Sequence, residues 1–284
     1  MLIDAHQHFW SLARGDYDWL TRDLNVLYRD FLPDDIVPML SDNRIDGTVA
    51  VQAAATIAET EYLLALADAD LWIRGVVGWV DFEAFDAVAQ IERLARQPRL
   101  VGLRPMLQDM ARHDWILDAA HAAPLAAMID AGLVFDALIR PVHLASINTL
   151  AAQFPALTIV VDHAAKPAIG DPTRFDHWHA GITALSRHAN VHCKLSGLMT
   201  EAPANVDRTM LQPYLDALIA SFGPRRLLWG SDWPVVLLAG DYARWLSITG
   251  DLLAGAALDH ASIAAIRGGN ACRIYKLTNE DDTK

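Results

Sequence analysis

Short apolar runs alternate along the chain with longer segments whose apolar residues recur at the helical period. The first run, Leu2-Ile3-Asp4-Ala5-His6-Gln7-His8-Phe9-Trp10, reads as a strand with Asp4, His6 and His8 on one face. Residues 11–29, irregular and rich in charge, with Tyr17, Trp19 and Tyr28 among them, read as a long loop over one end of the protein. A short helix is predicted over 33–40, with Asp34 and Asp35 in its first turn, where the dipole favours acids. Residues 48–52 read as a strand, and 59–70 as a helix with Tyr62, Leu63, Leu66 and Ala67 on one face. The unit then repeats. Strand 73–80 precedes a helix marked by Phe85, Val88, Ile91 and Leu94. Strand 100–104 precedes an Ala-rich helix that runs to Ala131 and is closed by Gly132. Strand 133–139 leads to helix 143–154, strand 157–163 to helix 175–188, and strand 191–195 to helix 210–222, ended by Gly223-Pro224. Strand 226–232 and helices 242–253 and 262–267 complete the series.

Eight strands, each followed by a helix or a long connection, point to a (β/α)8 TIM barrel. Several strands are continuously apolar, as a parallel sheet covered on its outer side requires. A doubly wound open sheet would usually bring a glycine-rich phosphate turn, and neither G-x-G-x-x-G nor a P-loop occurs. The expected organisation is one barrel over residues 1–277 and a polar tail over 278–284. The length of 284 residues, 53% hydrophobic and 20% charged, suits one large core. A net charge of −12 argues against nucleic-acid and anionic-membrane partners. Two cysteines, Cys193 and Cys272, are too few for a disulfide framework. The chain opens into a strand without a basic leader, and no apolar run approaches ~18 residues, so a soluble cytoplasmic protein is expected. Self-association into a homo-oligomer stays open.

In a barrel of this kind the chemistry sits at the C-terminal ends of the strands. Those ends carry His6 and His8, then Arg104, Asp136 and Arg140, His163 with Lys166, Lys194 and Ser196, and finally Asp232 followed by Trp233. Taken singly, Arg104 reads as a bridge to Asp136 and Lys194 as a satisfied barrel residue. Taken together, polar groups at six strand ends would be costly if buried unpaired, and around one mouth they make a pocket.

The segments His6-Gln7-His8-Phe9-Trp10, Val161-Asp162-His163-Ala164-Ala165-Lys166-Pro167, Cys193-Lys194-Leu195-Ser196-Gly197-Leu198 and Trp229-Gly230-Ser231-Asp232-Trp233-Pro234 resemble the amidohydrolase superfamily. More closely they resemble its branch of sugar-lactone hydrolases, the L-fuconolactonase and L-rhamnonolactonase type, from Leu2 to Tyr275. Members with two metals use a bridging Lys or Glu from strand four and a His from strand five. Here those places hold Arg104, which does not ligate, and Asp136, so a binuclear site is not expected. The resemblance implies a hydrolase for a small-molecule sugar lactone, with the branch including enzymes that need no metal. That metal-free reading is favoured. The alternative is one divalent ion, zinc, on His6, His8 and Asp232, since three protein ligands plus water suit catalytic zinc.

Lactone hydrolysis needs a base for water, a stabiliser for the oxyanion and an acid for the leaving alkoxide. Asp232 is the expected base, with His6, His8 and His163 around the carbonyl. Arg104, Lys194 and Asp136 are expected substrate-binding groups, and Trp10 and Trp233 an apolar wall for the sugar ring. A metal-dependent decarboxylase or C–C hydrolase, and a non-catalytic sugar-acid binding barrel, are the competing readings. A serine hydrolase is disfavoured because no G-x-S-x-G elbow occurs. His177 and His179 read as surface residues of a helix, and Cys193 as packing outward.

Overall fold

In a computed structural model, which describes residues 1–277, the strands stand in sequence order around a barrel. They are β1 (Ile3–Gln7), β2 (Gly47–Val51), β3 (Ile73–Gly78), β4 (Leu100–Leu103), β5 (Val134–Ala137), β6 (Ile159–Val161), β7 (Val191–Leu195) and β8 (Leu227–Trp229), each parallel to the next. Beyond β8 the chain turns back onto β1. The Asp232 amide donates to the His6 carbonyl at 2.8 Å, and the His8 amide to the Trp233 carbonyl at 2.7 Å. The predicted tail, 278–284, lies outside the described residues.

The outer layer comprises α1 (Pro33–Asp42), α2 (Ile57–Ala69), α3 (Ala87–Leu94), α4 (Ala122–Ala131), α5 (Leu144–Gln153), α6 (Pro172–Leu185), α7 (Arg208–Phe222) and α8 (Tyr242–Gly255). Two short helices follow, α9 (His260–Ala264) and α10 (Asn270–Ile274). Thr56, Asp171, Asp207 and Asp241 begin α2, α6, α7 and α8, their side chains accepting an orphan first-turn amide. Leu63, Ile91, Met128, Ile147, Ile182 and Leu218 pack these helices against the sheet. A second cluster fills the barrel itself: Val49, Val51, Val77, Val101, Val134, Val160 and Leu228 meet Ala271, Ile274 and Tyr275. The C-terminal segment thus stops the end of the barrel opposite the strand C-termini, and the polar groups lie above that apolar plug.

Several boundaries differ from expectation. Paired strand segments are shorter, because the chain leaves the sheet as soon as it reaches the mouth. β6 ends at Val161, and residues 163–166 take positive φ of 51°, 51°, 60° and 51°. β8 ends at Trp229, and Asp232 has φ 60°. Phe85 does not join a helix face: it precedes α3 and is fully exposed. The single helix expected over 262–267 is α9 and α10 around an irregular turn, Ala265–Gly269. There Gly268 lies so close to the backbone of Met1 and Ile3 that a side chain would collide with it. Among the described residues no helix is long and apolar enough to cross a membrane.

Candidate active site

Strand alternation puts His6 and His8 on one side, and their Nε2 atoms stand 3.2 Å apart. Asp4 does not join them, because the β1–β2 register slips between Asp4 and Gln7. Its carboxylate instead accepts the Ser231 amide at 2.8 Å and the His6 amide at 3.2 Å, and burial lifts its pKa to about 6. The His8 Nδ1 donates to the Val51 carbonyl at 2.7 Å. In neutral His8 that leaves the lone pair on Nε2, facing the mouth.

Asp162 and His163 are consecutive, so on a straight strand they would face opposite ways. The left-handed turn after β6 brings both inward. The His163 ring lies 4.4 Å from that of His6, centroid to centroid, and its Nδ1 is 2.9 Å from Ser196 Oγ. Gly197, at φ +63°, backs this ring so closely that a Cβ would sit 2.5 Å from His163 Nδ1. Asp232 Oδ1 completes the cluster, 3.4 Å from His8 Nε2, 3.7 Å from His6 Nε2 and 3.8 Å from His163 Nε2.

A charged layer lies beneath. Lys194 Nζ is 2.5 Å from Asp136 Oδ2, 3.0 Å from Asp162 Oδ1 and 3.1 Å from His6 Nδ1. The Tyr275 hydroxyl donates to Asp136 from below at 2.9 Å. Arg104 Nη1 donates to Asp162 Oδ2 at 3.1 Å and its Nη2 to the Gln52 carbonyl, while its buried Nε has no acceptor.

These contacts set the protonation states. Burial pushes His6 well below its ordinary range, helped by the Lys194 charge, and lowers His163 to about 4. Burial pushes Asp162 upward, but Lys194, His6 and Arg104 outweigh it and hold the carboxyl well below the usual range. Asp232 follows the same pattern, its burial outweighed by the His163, His8 and His6 imidazoles. Asp136 goes the other way: burial lifts it to about 6 against the pull of Lys194.

The structure therefore gathers His6, His8, His163, Asp232 and Arg104 at one mouth. Lys194 and Asp136 belong to the sealed layer beneath it and reach the mouth only through His6 and Asp162. Trp10 and Trp233 are buried behind the site, each edge-on to Phe31 at 5.3 and 5.2 Å. Arg140 is half-exposed and 3.9 Å from Asp109, and His143 is tucked against the Arg140 backbone in the turn before α5. His177 is exposed on α6, and Cys193 is buried in the core between sheet and helices. Asp162 is the group that sequence reading missed. Its signal was alternation: Val134 and Asp136, Val160 and Asp162, and His192 and Lys194 are each two apart on adjacent strands.

His6, His8 and Asp232 also pass a test as metal ligands. Their candidate atoms all lie within 4.8 Å of one another, at 3.2, 3.4 and 3.7 Å pairwise. Ligands about 2.0–2.1 Å from a tetrahedral zinc stand roughly 3.3 Å apart. The set offers a carboxylate and an imidazole already oriented by Val51, as zinc sites require.

Comparison with known proteins matches residues 3–277 to the family model described as amidohydrolase. The chain is 45% identical to an L-fucono-1,5-lactonase of Burkholderia ambifaria over 97% of this chain and 95% of that protein. An L-fucono-1,5-lactonase of Burkholderia multivorans is 37% identical over 99% and 98%. The crystal structure of an amidohydrolase from Burkholderia multivorans with bound zinc superposes with a TM-score of 0.92 at 37% identity, covering 98% of this chain and 100% of the other. A 5-carboxyvanillate decarboxylase from Sphingomonas paucimobilis, 18% identical with a TM-score of 0.66 over 98% and 99%, shares the fold alone. The zinc in the Burkholderia multivorans structure overturns the expectation that no cofactor is required. The metal-ligating geometry of His6, His8 and Asp232 agrees with that correction.

Proposed function

The chain belongs to the amidohydrolase family, and from that premise we propose that it hydrolyses a sugar 1,5-lactone of the L-fucono type to the open sugar acid. One observation carries the reading: three imidazole Nε2 atoms converge on Asp232 Oδ1, in a chain 45% identical to an L-fucono-1,5-lactonase along nearly its whole length. His6, His8 and Asp232 would hold a divalent ion, which would supply Lewis acidity at the carbonyl and the attacking water.

The protein's own groups do the rest. Asp232 stays ionised at working pH and accepts the proton of the attacking water. Arg104 Nη1, 3.5 Å from His6 Nε2, is the part of the guanidinium nearest the imidazole cluster and faces the carbonyl oxygen as negative charge gathers there. The guanidinium is held for this by Asp162 and Gln52. His163, neutral at working pH and fixed by Ser196, stands 3.8 Å from Asp232 to relay the proton to the ring oxygen as the C–O bond breaks. Lys194 and Asp136 position His6 and Asp162 from beneath and do not touch the lactone.

The test is pH-monitored hydrolysis of a panel of aldonolactones by metal-assayed protein, before and after chelation. Turnover that is lost on stripping and restored by zinc supports the reading. Absence of turnover in both states overturns it, and full turnover without metal overturns the role of the ion. Asp232→Asn is expected to lower kcat about a hundredfold or more, and retention of most of the activity refutes the base assignment.

A further inference from the structure

We propose that Glu59, on α2 and outside the barrel mouth, is a positioning residue for the site: it grips the turn at residues 51–54, whose carbonyls hold His8 and Arg104. The turn has two working faces. On one, the Val51 carbonyl accepts from His8 Nδ1 at 2.7 Å and the Gln52 carbonyl accepts from Arg104 Nη2. Gln52 Nε2 returns a bond to the Arg104 carbonyl at 2.9 Å. On the other face, both oxygens of the Glu59 carboxylate are spent on the turn's amides. Ala53 N–H donates at 2.9 and 3.0 Å and Ala54 N–H at 2.6 Å.

Glu59 is itself fully buried and fixed in the first turn of α2, where its own amide donates to Thr56 Oγ1 at 3.0 Å. The Ala53 carbonyl is held by Trp19 Nε1 at 2.8 Å, and the Gln52 amide donates to the Val77 carbonyl at 2.8 Å. The orientations of a proposed metal ligand and of the proposed oxyanion donor therefore converge on one backbone segment. No hydrogen bond joins Glu59 to His8, Arg104 or Asp232, so it acts only through the turn. Oε2 accepts from both amides and Oε1 from Ala53 alone, so glutamine can keep one shared acceptor while its N–H₂ replaces Oε1 beside the Ala53 amide.

The inference rests on the roles assigned to His8 and Arg104, so its test carries a readout independent of lactone turnover. Zinc affinity, measured by competition with a chromophoric chelator, and lactone kcat and KM are compared for the intact chain, Glu59→Ala and Glu59→Gln. Ile182→Ala, in the helix layer on α6, is the control for general loss of stability. Because Glu59 acts one step behind the Val51 carbonyl that holds His8, its loss in Glu59→Ala is expected to weaken zinc binding and lower kcat by about tenfold, the low end for a ligand's own hydrogen-bond partner, with KM moving less. Glu59→Gln is expected to fall between, and Ile182→Ala to melt earlier while keeping both constants. If zinc affinity and kcat in Glu59→Ala drop no further than in Ile182→Ala, the proposal is overturned. Should Glu59→Ala fail to fold, Glu59→Gln decides by the same comparison. If the intact chain binds zinc but opens no lactone, the functional reading fails while the zinc measurement still judges Glu59.

Discussion

Gly197→Ala is expected to damage the site through one collision. The new Cβ would stand 2.5 Å from His163 Nδ1, 2.7 Å from Cγ and 3.0 Å from Cβ. Carbon contacts are comfortable at about 3.5 Å or more, so the imidazole must retreat by roughly 1 Å. That retreat breaks the 2.9 Å contact with Ser196 Oγ and draws Nε2 away from Asp232. Alanine at φ +63° adds about 1 kcal/mol of backbone strain, and overpacking a tight site adds about 1–3 kcal/mol. The expected loss of stability is about 2–4 kcal/mol by denaturant unfolding, and kcat should fall about a hundredfold, as for other 1 Å displacements in active sites. Gly132→Ala is the matched control. It has φ +65°, but a Cβ there meets only the flexible tip of Lys276, far from the mouth. That variant should lose about 1 kcal/mol and keep its activity. If the two variants have the same activity, the argument that Gly197 exists to seat His163 is refuted.

Lys194→Met removes the cation shared by Asp136 and Asp162, both fully buried, and should cost about 3–5 kcal/mol in unfolding experiments although it touches no substrate. A loss below about 1 kcal/mol would mean the layer beneath the histidines is not held by charge. Glu59 gives a pH test. Burial, reinforced by Asp16, lifts its pKa from 4.5 to about 7 against the pull of the Ala54 and Ala53 amides. The folded state therefore holds the proton more tightly. The associated stability, about 3 kcal/mol, is complete below pH 4.5 and disappears as pH rises to about 7. Urea unfolding of Glu59→Gln should lack that decline, and parallel pH curves for the two proteins would contradict it.

Much of the barrel was legible because each strand is a short apolar run and each helix carries a periodic stripe or a cap. The convergence of His6, His8, His163 and Asp232 was legible from strand-end position alone. Two kinds of information were not. Backbone conformation at the mouth is invisible to periodicity, so Asp162 was passed over beside His163, and Asp4 was grouped with histidines from which a register slip separates it. Depth is equally hidden. Lys194 and Asp136 lie on the inward face like the mouth residues, but one layer lower, where only other protein groups reach them. Trp10 and Trp233 show the same limit, since a tryptophan near a rim can face either the cavity or the packing behind it. The metal-compatible arrangement of His6, His8 and Asp232 depends on partner geometry, which the His-x-His spacing does not encode.

The turn after β6 links strain to charge. Residues 163–166 all occupy the left-handed region, at about 1–2 kcal/mol each for side chains other than glycine. Local hydrogen bonds offset part of this cost: Lys166 N–H donates to the His163 carbonyl at 2.8 Å and Trp178 Nε1 to the Ala164 carbonyl at 2.7 Å. The anchor at the start of the turn is Asp162, gripped by Lys194 and Arg104. Those ion pairs fix the point from which the chain reverses hand, and the reversal aims His163 over His6. The charged layer and the imidazole cluster are therefore one mechanical unit. Weakening the Lys194–Asp162 pair should shift His163 as well as His6, although Lys194 contacts only the latter.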